Sequence, residues 1–321
     1  MSKILIIGAN GQLGSELAVA LAEKYGAAQI VTSDIVPAKS GPLKHEILDA
    51  TDANALRRVV TENAITQVYH LAAALSATGE KKPLWAWNLN MSSLLNVLEL
   101  AKEFNFRLFW PSSIAVFGST TPADHTPQKT IIEPETVYGI SKQAGEGWCR
   151  WYHQTHGVDV RSLRYPGLIS WKTPPGGGTT DYAIDIFRAA IAGEPYTCFL
   201  DADETLPMMY MDDAVRATIE LMEAPAESIS ERGSYNISGA SFSPAEIAAE
   251  IARQSPGFRI DYAPDYRQAI AAAWPNSLDD SQARQDWGWR ATYDLSRLVS
   301  DMLAGMKQQM PTSKPARVAN G

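Results

Sequence analysis

Cysteine is nearly missing from this chain: among 321 residues only Cys149 and Cys198 carry a thiol. Two cysteines build neither a disulfide framework nor a multi-cysteine metal site, so both are expected as buried packing residues in a reducing compartment. Long apolar runs are missing too. No stretch reaches the ~18 residues that a membrane span needs, and no membrane partner is expected. No basic run stands out either: 28 Lys plus Arg stand against 36 Asp plus Glu, a net charge of −8. That balance removes the electrostatic footprint of a nucleic-acid or anionic-lipid binder and leaves a small molecule as the expected partner. The five His, at positions 45, 70, 125, 153 and 156, show no metal-ligand spacing, so no metal is expected. The opening residues hold one Lys and then a short apolar run without signal or transit character, and the expected location is the cytoplasm.

What is present is an ordinary globular composition, 45% hydrophobic and 20% charged. At a prior of ~150 residues per domain this length suggests two domains. Residues 3–8 (KILIIG) read as a strand buried on both faces of a parallel sheet. A helix over 14–25, with Leu17 and Leu21 on one face, and a strand over 29–33 complete a β-α-β unit. The alternation continues with helix 53–63, strand 67–71, helix 84–104, strand 107–111, helix 141–157 and strand 159–165. Strands alternating with helices predict an α/β fold with a doubly wound parallel sheet. After residue 165 the pattern breaks at Pro174, Pro175 and Gly176, then resumes with a helix over 182–192, a short strand near 196–200, and helices from 211, 243 and about 295. The expected division is a nucleotide-binding domain over 1–166 and about 207–236, a smaller α/β substrate lobe over about 167–206 and 237–306, and a mobile tail over 307–321.

Two constellations carry chemistry. Gly8, Gly11 and Gly14, in GANGQLG, lie between the first strand and the first helix. Missing side chains there let the backbone turn tightly and approach a pyrophosphate, and the helix N-terminus offers N–H groups and partial positive charge. Gln12 and Leu13 belong to the same turn. Asp34 ends the second strand 20 residues after Gly14, where its carboxylate would accept hydrogen bonds from a ribose and repel a 2′-phosphate, favouring NAD over NADP. A strand-ending turn residue explains Asp34 equally simply. Leu48 and Asp49 end the next strand and are placed to flank the adenine. The second constellation is Tyr138 and Lys142, one helical turn apart, with Ser112 and Ser113 following a strand that ends at Pro111. A phenol titrates near ~10, and an adjacent ammonium and an oxidised nicotinamide would favour its ionised form.

These residues resemble the extended short-chain dehydrogenases/reductases, a family that includes nucleotide-sugar epimerases and dehydratases. The resemblance covers nearly the whole chain and implies a Rossmann-type fold, NAD as cofactor, Tyr138, Lys142 and Ser113 as catalytic residues, and a homodimer through helices 84–104 and 141–157. It also implies that His70, Leu71, Ala72 and Ala73 lie against the cofactor, Asn90 in the proton-relay helix, and Arg164, Tyr165, Pro166, Gly167 and Leu168 beside the nicotinamide. Dehydratases of the family carry Asp-Glu just after the catalytic hydroxyl. Ile114 and Ala115 stand there instead and move no proton, which argues against dehydration.

One branch of the family, the short-chain L-threonine 3-dehydrogenases, resembles this chain most closely, through 76–81 (SATGEK), 111–118 (PSSIAVFG), 165–187 and 200–213. The implied substrate is L-threonine, oxidised at Cβ, and the implied closure over it is by Trp274. Residues 176–181 independently suit a small amino acid: Gly178 exposes a backbone N–H, Thr179 and Thr180 offer hydroxyls, and Asp181 pairs with an ammonium. Helix capping explains the same Thr-Thr-Asp before Tyr182 as well. Ser76 and Ser112 complete the expected substrate contacts. A nucleotide-sugar 4-epimerase is the alternative, although Lys172 is the only cation over residues 166–187, and Arg216, Arg232 or Arg267 would have to fold in to clamp a diphosphate. A non-catalytic NAD-binding sensor is the reading from another class, and it leaves Ser113, Tyr138 and Lys142 without a use.

Overall fold

The computed structural model describes residues 2–38, 41–173, 176 and 178–309. The chain runs β1 (Ile4–Ile7), α1 (Gln12–Tyr25), β2 (Ile30–Asp34), β3 (Lys44–Ile47), α2 (Ala53–Glu62), β4 (Gln67–His70), α3 (Ser76–Lys81), α4 (Pro83–Phe104), β5 (Arg107–Ser113), α5 (Val137–His156) and β6 (Val160–Tyr165). It continues β7 (Gly167–Ile169), α6 (Tyr182–Ala192), β8 (Tyr196–Cys198), β9 (Leu206–Tyr210), α7 (Met211–Glu223), β10 (Tyr235–Asn236), β11 (Ala240–Phe242), α8 (Pro244–Gln254), β12 (Ile260–Tyr262), α9 (Tyr266–Ala271), α10 (Ser281–Trp287) and α11 (Leu295–Gln309).

Seven parallel strands form the central sheet in the order β10-β6-β5-β4-β1-β2-β3. Because side chains alternate across a strand, β1 feeds two cores: Ile4 and Ile6 pack with Leu17 and Leu21 of α1 and Leu221 of α7, while Leu5 and Ile7 pack with Val59 of α2 and Leu94 of α4. The strand order reverses between β1 and β4, which opens a crevice at the carboxyl ends of those strands, the usual ligand position in such sheets. A three-stranded sheet, β11-β9-β7, and a pair, β12-β8, accompany α6, α8 and α11 around a third core that includes Phe187, Ile247 and Met302. Asp159 ties the β5–β6 edge to the segment before β10: it accepts hydrogen bonds from Arg107 (2.9 Å), Arg161 (3.0 Å) and Arg232 (2.7 Å). These three guanidinium groups hold its carboxyl well below the usual range although burial pushes the other way.

The doubly wound α/β sheet matches the sequence expectation, with differences at several ends. The helix predicted over 141–157 starts at Val137, because the Thr136 hydroxyl accepts from the Gly139 N–H and caps it (3.0 Å). The strand predicted over 107–111 continues through Ser113. Residues 307–309, expected in the tail, extend the last helix, and 310–321 lie outside the described residues. Both cysteines are free and buried. Among the described residues, no helix is long and apolar enough to cross a membrane.

Candidate active site

The glycine turn leaves β1 with Gly8 at φ +83°, in the left-handed region, where an added Cβ would lie 2.7 Å from the Ala72 nitrogen. At Gly14 an added Cβ would stand 2.9 Å from Ala9 Cα and closer still to the Gly8 carbonyl oxygen, so only a bare backbone lets α1 begin this close to the turn. The N–H groups of Gly8 and Ala9 donate to the Ser33 carbonyl at 2.9 and 3.0 Å, and Asp34 Oδ2 accepts from the Asn10 N–H at 3.0 Å. The turn is thereby latched to β2. Asp34 thus has a structural task, that of holding the turn. No side chain caps α1 at Gly11, and the buried Gln12 Nε2 has no hydrogen-bond partner while Gln12 lines the adjoining cavity. Bare glycines, open helix N–H groups and an orphaned amide donor fit a pyrophosphate. Leu48, whose N–H donates to the Asp34 carbonyl (2.8 Å), and Asp49, which accepts from Thr51, lie beside Asp34 at the strand ends.

From Gly8, Gly11, Gln12, Leu13 and Gly14 a cavity of about 290 Å³ runs across Leu71 and Ala73 to Ser113, Tyr138 and Lys142, and ends at Ser76, residues 178–181 and Trp274. Tyr165 and Leu168 line it as well. Asp34, Leu48, Asp49, Ala72 and Asn90, also expected at the cofactor, are not among its lining residues. Ala72 nevertheless packs under Gly8, and Asn90 is a brace: its side chain bonds both backbone groups of Ala74 (2.7 and 3.2 Å) and the Ser141 hydroxyl (3.0 Å), joining the end of β4 to α5. Behind this wall His70 pairs with Ser93 (3.0 Å), and burial, helped by Lys142, pushes its pKa down to about 3, so it is neutral.

The helix α5 brings Tyr138 and Lys142 to Ser113 because its first turn presses on the turn after β5; a side chain at Gly139 would collide with the Ala115 carbonyl. Ser113 lies beside the Tyr138 phenol and favours its ionised form. The Lys142 ammonium lies 5.4 Å from the Tyr138 ring centroid and 4.5 Å from that of Trp110, and it donates to the Pro111 carbonyl (2.5 Å). Burial disfavours the charged form of each group. It pushes the phenol up to about 12, against the pull of Ser113, and the ammonium down to about 7, against Cys149 and Glu146.

On the far wall Ser76 begins α3 and Thr179 is buried. Asp181 does not cap α6 with its side chain; its Oδ2 accepts from the Gly178 N–H at 2.7 Å and closes a turn facing the cavity. Pro174, Pro175 and Gly177 lie outside the described residues. Trp274 packs in the third core and also lines the cavity. Ser112 turns its hydroxyl to Glu146 (2.7 Å). That carboxylate is gripped by Arg164 (2.8 and 2.7 Å), a fully enclosed pair that isolated charges in the sequence do not announce. Among the described residues lining the cavity, Lys142 is the one cation. Arg216 is held by Asp213 and Glu220, Arg232 by Asp159, and Arg267 by Asp265, all outside the cavity.

A dinucleotide cradle feeding a Ser-Tyr-Lys centre defines an NAD-dependent oxidoreductase. Comparison with known proteins agrees: residues 4–238 match the NAD dependent epimerase/dehydratase family, and the chain belongs to it. Among solved structures, the L-threonine dehydrogenase of Cupriavidus necator in its holo form is 71% identical, with a TM-score of 0.94 over 95% of this chain and 99% of that one. The L-threonine dehydrogenase of Clostridium difficile is 45% identical, with a TM-score of 0.94 over 96% and 98%. An uncharacterized epimerase/dehydratase of Staphylococcus haemolyticus is 45% identical over 96% of this chain and 99% of its own length.

Proposed function

We propose that the protein oxidises the Cβ hydroxyl of L-threonine to give 2-amino-3-ketobutyrate. The observation that carries this reading is the cavity itself: a Ser-Tyr-Lys centre faces a short wall of hydroxyls, a turn-forming carboxylate and Trp274, with no guanidinium among the described lining residues to hold a diphosphate. The likeness to L-threonine dehydrogenases supports it. When bound across Gly8, Gly11 and Gly14, NAD supplies the hydride acceptor and a positive ring. Tyr138 Oη, ionised, takes the hydroxyl proton as the Cβ–H bond breaks and the C=O bond forms. Ser113 donates to that oxygen as charge moves through it, and Lys142 stabilises the phenolate. Ser76 and residues 178–181 hold the carboxylate and ammonium.

The test is NADH formation on offering L-threonine, L-serine and a UDP-hexose with each dinucleotide. Turnover of threonine with NAD is the expected result; conversion of the UDP-hexose without threonine turnover overturns the reading in favour of a 4-epimerase. Because Trp274 stands between core and cavity, Trp274→Ala is expected to raise the KM for L-threonine roughly tenfold, the loss of one well-packed aromatic contact, with NAD affinity nearly unchanged. Equal losses for both ligands would contradict a substrate-side role.

The reading includes a homodimer. Leu84 and Trp85 on α4 and Trp151 on α5 are 78%, 51% and 45% exposed, apolar side chains on the two helices that the reading places at the interface. Sedimentation at micromolar concentration is expected to give a dimer, and a monomer would refute it.

A further inference from the structure

The helix that opens the cofactor cradle also anchors the segment leading to the substrate wall. Glu16, on the second turn of α1, is 9% exposed; its carboxylate accepts a hydrogen bond from the Ser170 hydroxyl and lies 3.0 Å from Lys172 Nζ. Lys172 also reaches Asp212 on α7 at 3.6 Å. One residue back, the hydroxyls of Ser15 and Thr173 pair at 3.2 Å. Three of the four residues 170–173 are therefore fastened to α1, directly after β7 and ahead of the wall at 178–181.

Neither Glu16 nor Lys172 lines the catalytic cavity, so the bridge takes no part in the chemistry. Its placement is what matters. Gln12, Leu13 and Gly14 face the cofactor side of the cavity, and Ser15 and Glu16, the next two residues on the same turns, hold the substrate side. An anion at the α1 N-terminus fixes that first turn and with it the anchor of residues 170–173. A buried carboxylate is costly unless it is paired, and here its partners come from the residues directly after β7, the strand whose Gly167 packs against Thr180 of the substrate wall. We propose that Glu16 is a positioning residue, which through Ser170 and Lys172 couples dinucleotide binding at α1 to the affinity of the substrate wall. The proposal rests on the reading of an amino-acid substrate, and by reciprocity the substrate tightens NAD by the same factor.

The test pairs kinetics with amide hydrogen exchange on Glu16→Gln, which keeps an acceptor for Ser170 but removes the negative charge that pairs with Lys172, and on Lys172→Met, whose half-exposed site tolerates the change. Each variant is expected to raise the KM for L-threonine about fivefold or more, the low end of ordinary coupling, with kcat and NAD affinity within about twofold. Addition of NAD alone is expected to slow exchange in peptides covering residues 178–187 of the native protein and to leave them unchanged in the variants. The double variant is expected to be no worse than either single one. An unchanged threonine KM in both folded variants, or an exchange response to NAD equal to the native one, overturns the proposal. So does a fall in NAD affinity, measured without threonine, parallel to the rise in KM. The exchange experiment uses no threonine, so a wrong substrate and a wrong bridge give different results.

Discussion

Replacing Tyr138 with Phe is expected to cut NADH formation from L-threonine by roughly 10²–10⁴-fold, the usual worth of a positioned general base, with NAD affinity within about twofold. The substitution removes one oxygen and leaves the ring against the third core, so the loss reports chemistry and not folding. The pH profile sharpens the point. Burial pushes Tyr138 up to about 12 and Lys142 down to about 7 in the free protein, so at neutral pH the phenol still carries the proton it must lose before it acts as a base. The active form needs the phenolate, which binds one proton fewer. Activity is therefore lost as the pH falls, tenfold per unit on the acid limb of kcat/KM, and the residual activity of Tyr138→Phe is expected to lack that limb. Near-normal turnover by the variant, or an unchanged acid limb, would remove Tyr138 from the proposed role.

Much of this is legible in the sequence, and the exceptions have a common physical form. The parallel sheet shows in the sequence because strands such as β1 are continuous apolar runs and the helices between them repeat at their own period, both local signals. The strands β7 and β11, of three residues each, do not show, because their pairing with β9 is decided by residues 32 to 41 positions apart. Met208 and Met209 do read as core, and they are buried inside β9. Asp181 is undecided in sequence, since the same carboxylate serves a helix cap or a substrate ammonium; in the structure it leaves α6 uncapped and accepts from the Gly178 N–H at 2.7 Å. The Glu146–Arg164 pair and the Glu16–Lys172 bridge escape sequence reading for the same reason: single charges acquire meaning from partners 18 and 156 positions away.

Gly14→Ala is expected to weaken NAD binding by about 100-fold, the scale of a misplacement near one ångström, although alanine is the better helix former. The new methyl would enter the space of the Gly8 carbonyl and come within 2.9 Å of Ala9 Cα. Backbone on both sides leaves it nothing flexible to displace, so either α1 backs away or the turn rises into the pyrophosphate position. The turn cannot rise freely, because Gly8 and Ala9 are tied to Ser33 and Asn10 to Asp34. Retreat of α1 is the cheaper response, and it withdraws the very N–H groups that hold the anion. A helix-propensity gain of up to ~1 kcal/mol partly offsets the strain, so thermal stability is expected to fall less than cofactor affinity does. Fluorescence titration with NADH, with circular dichroism on the same samples, measures both. An affinity within about threefold of the native protein, in a folded variant, would mean that the anion is held elsewhere than at this turn.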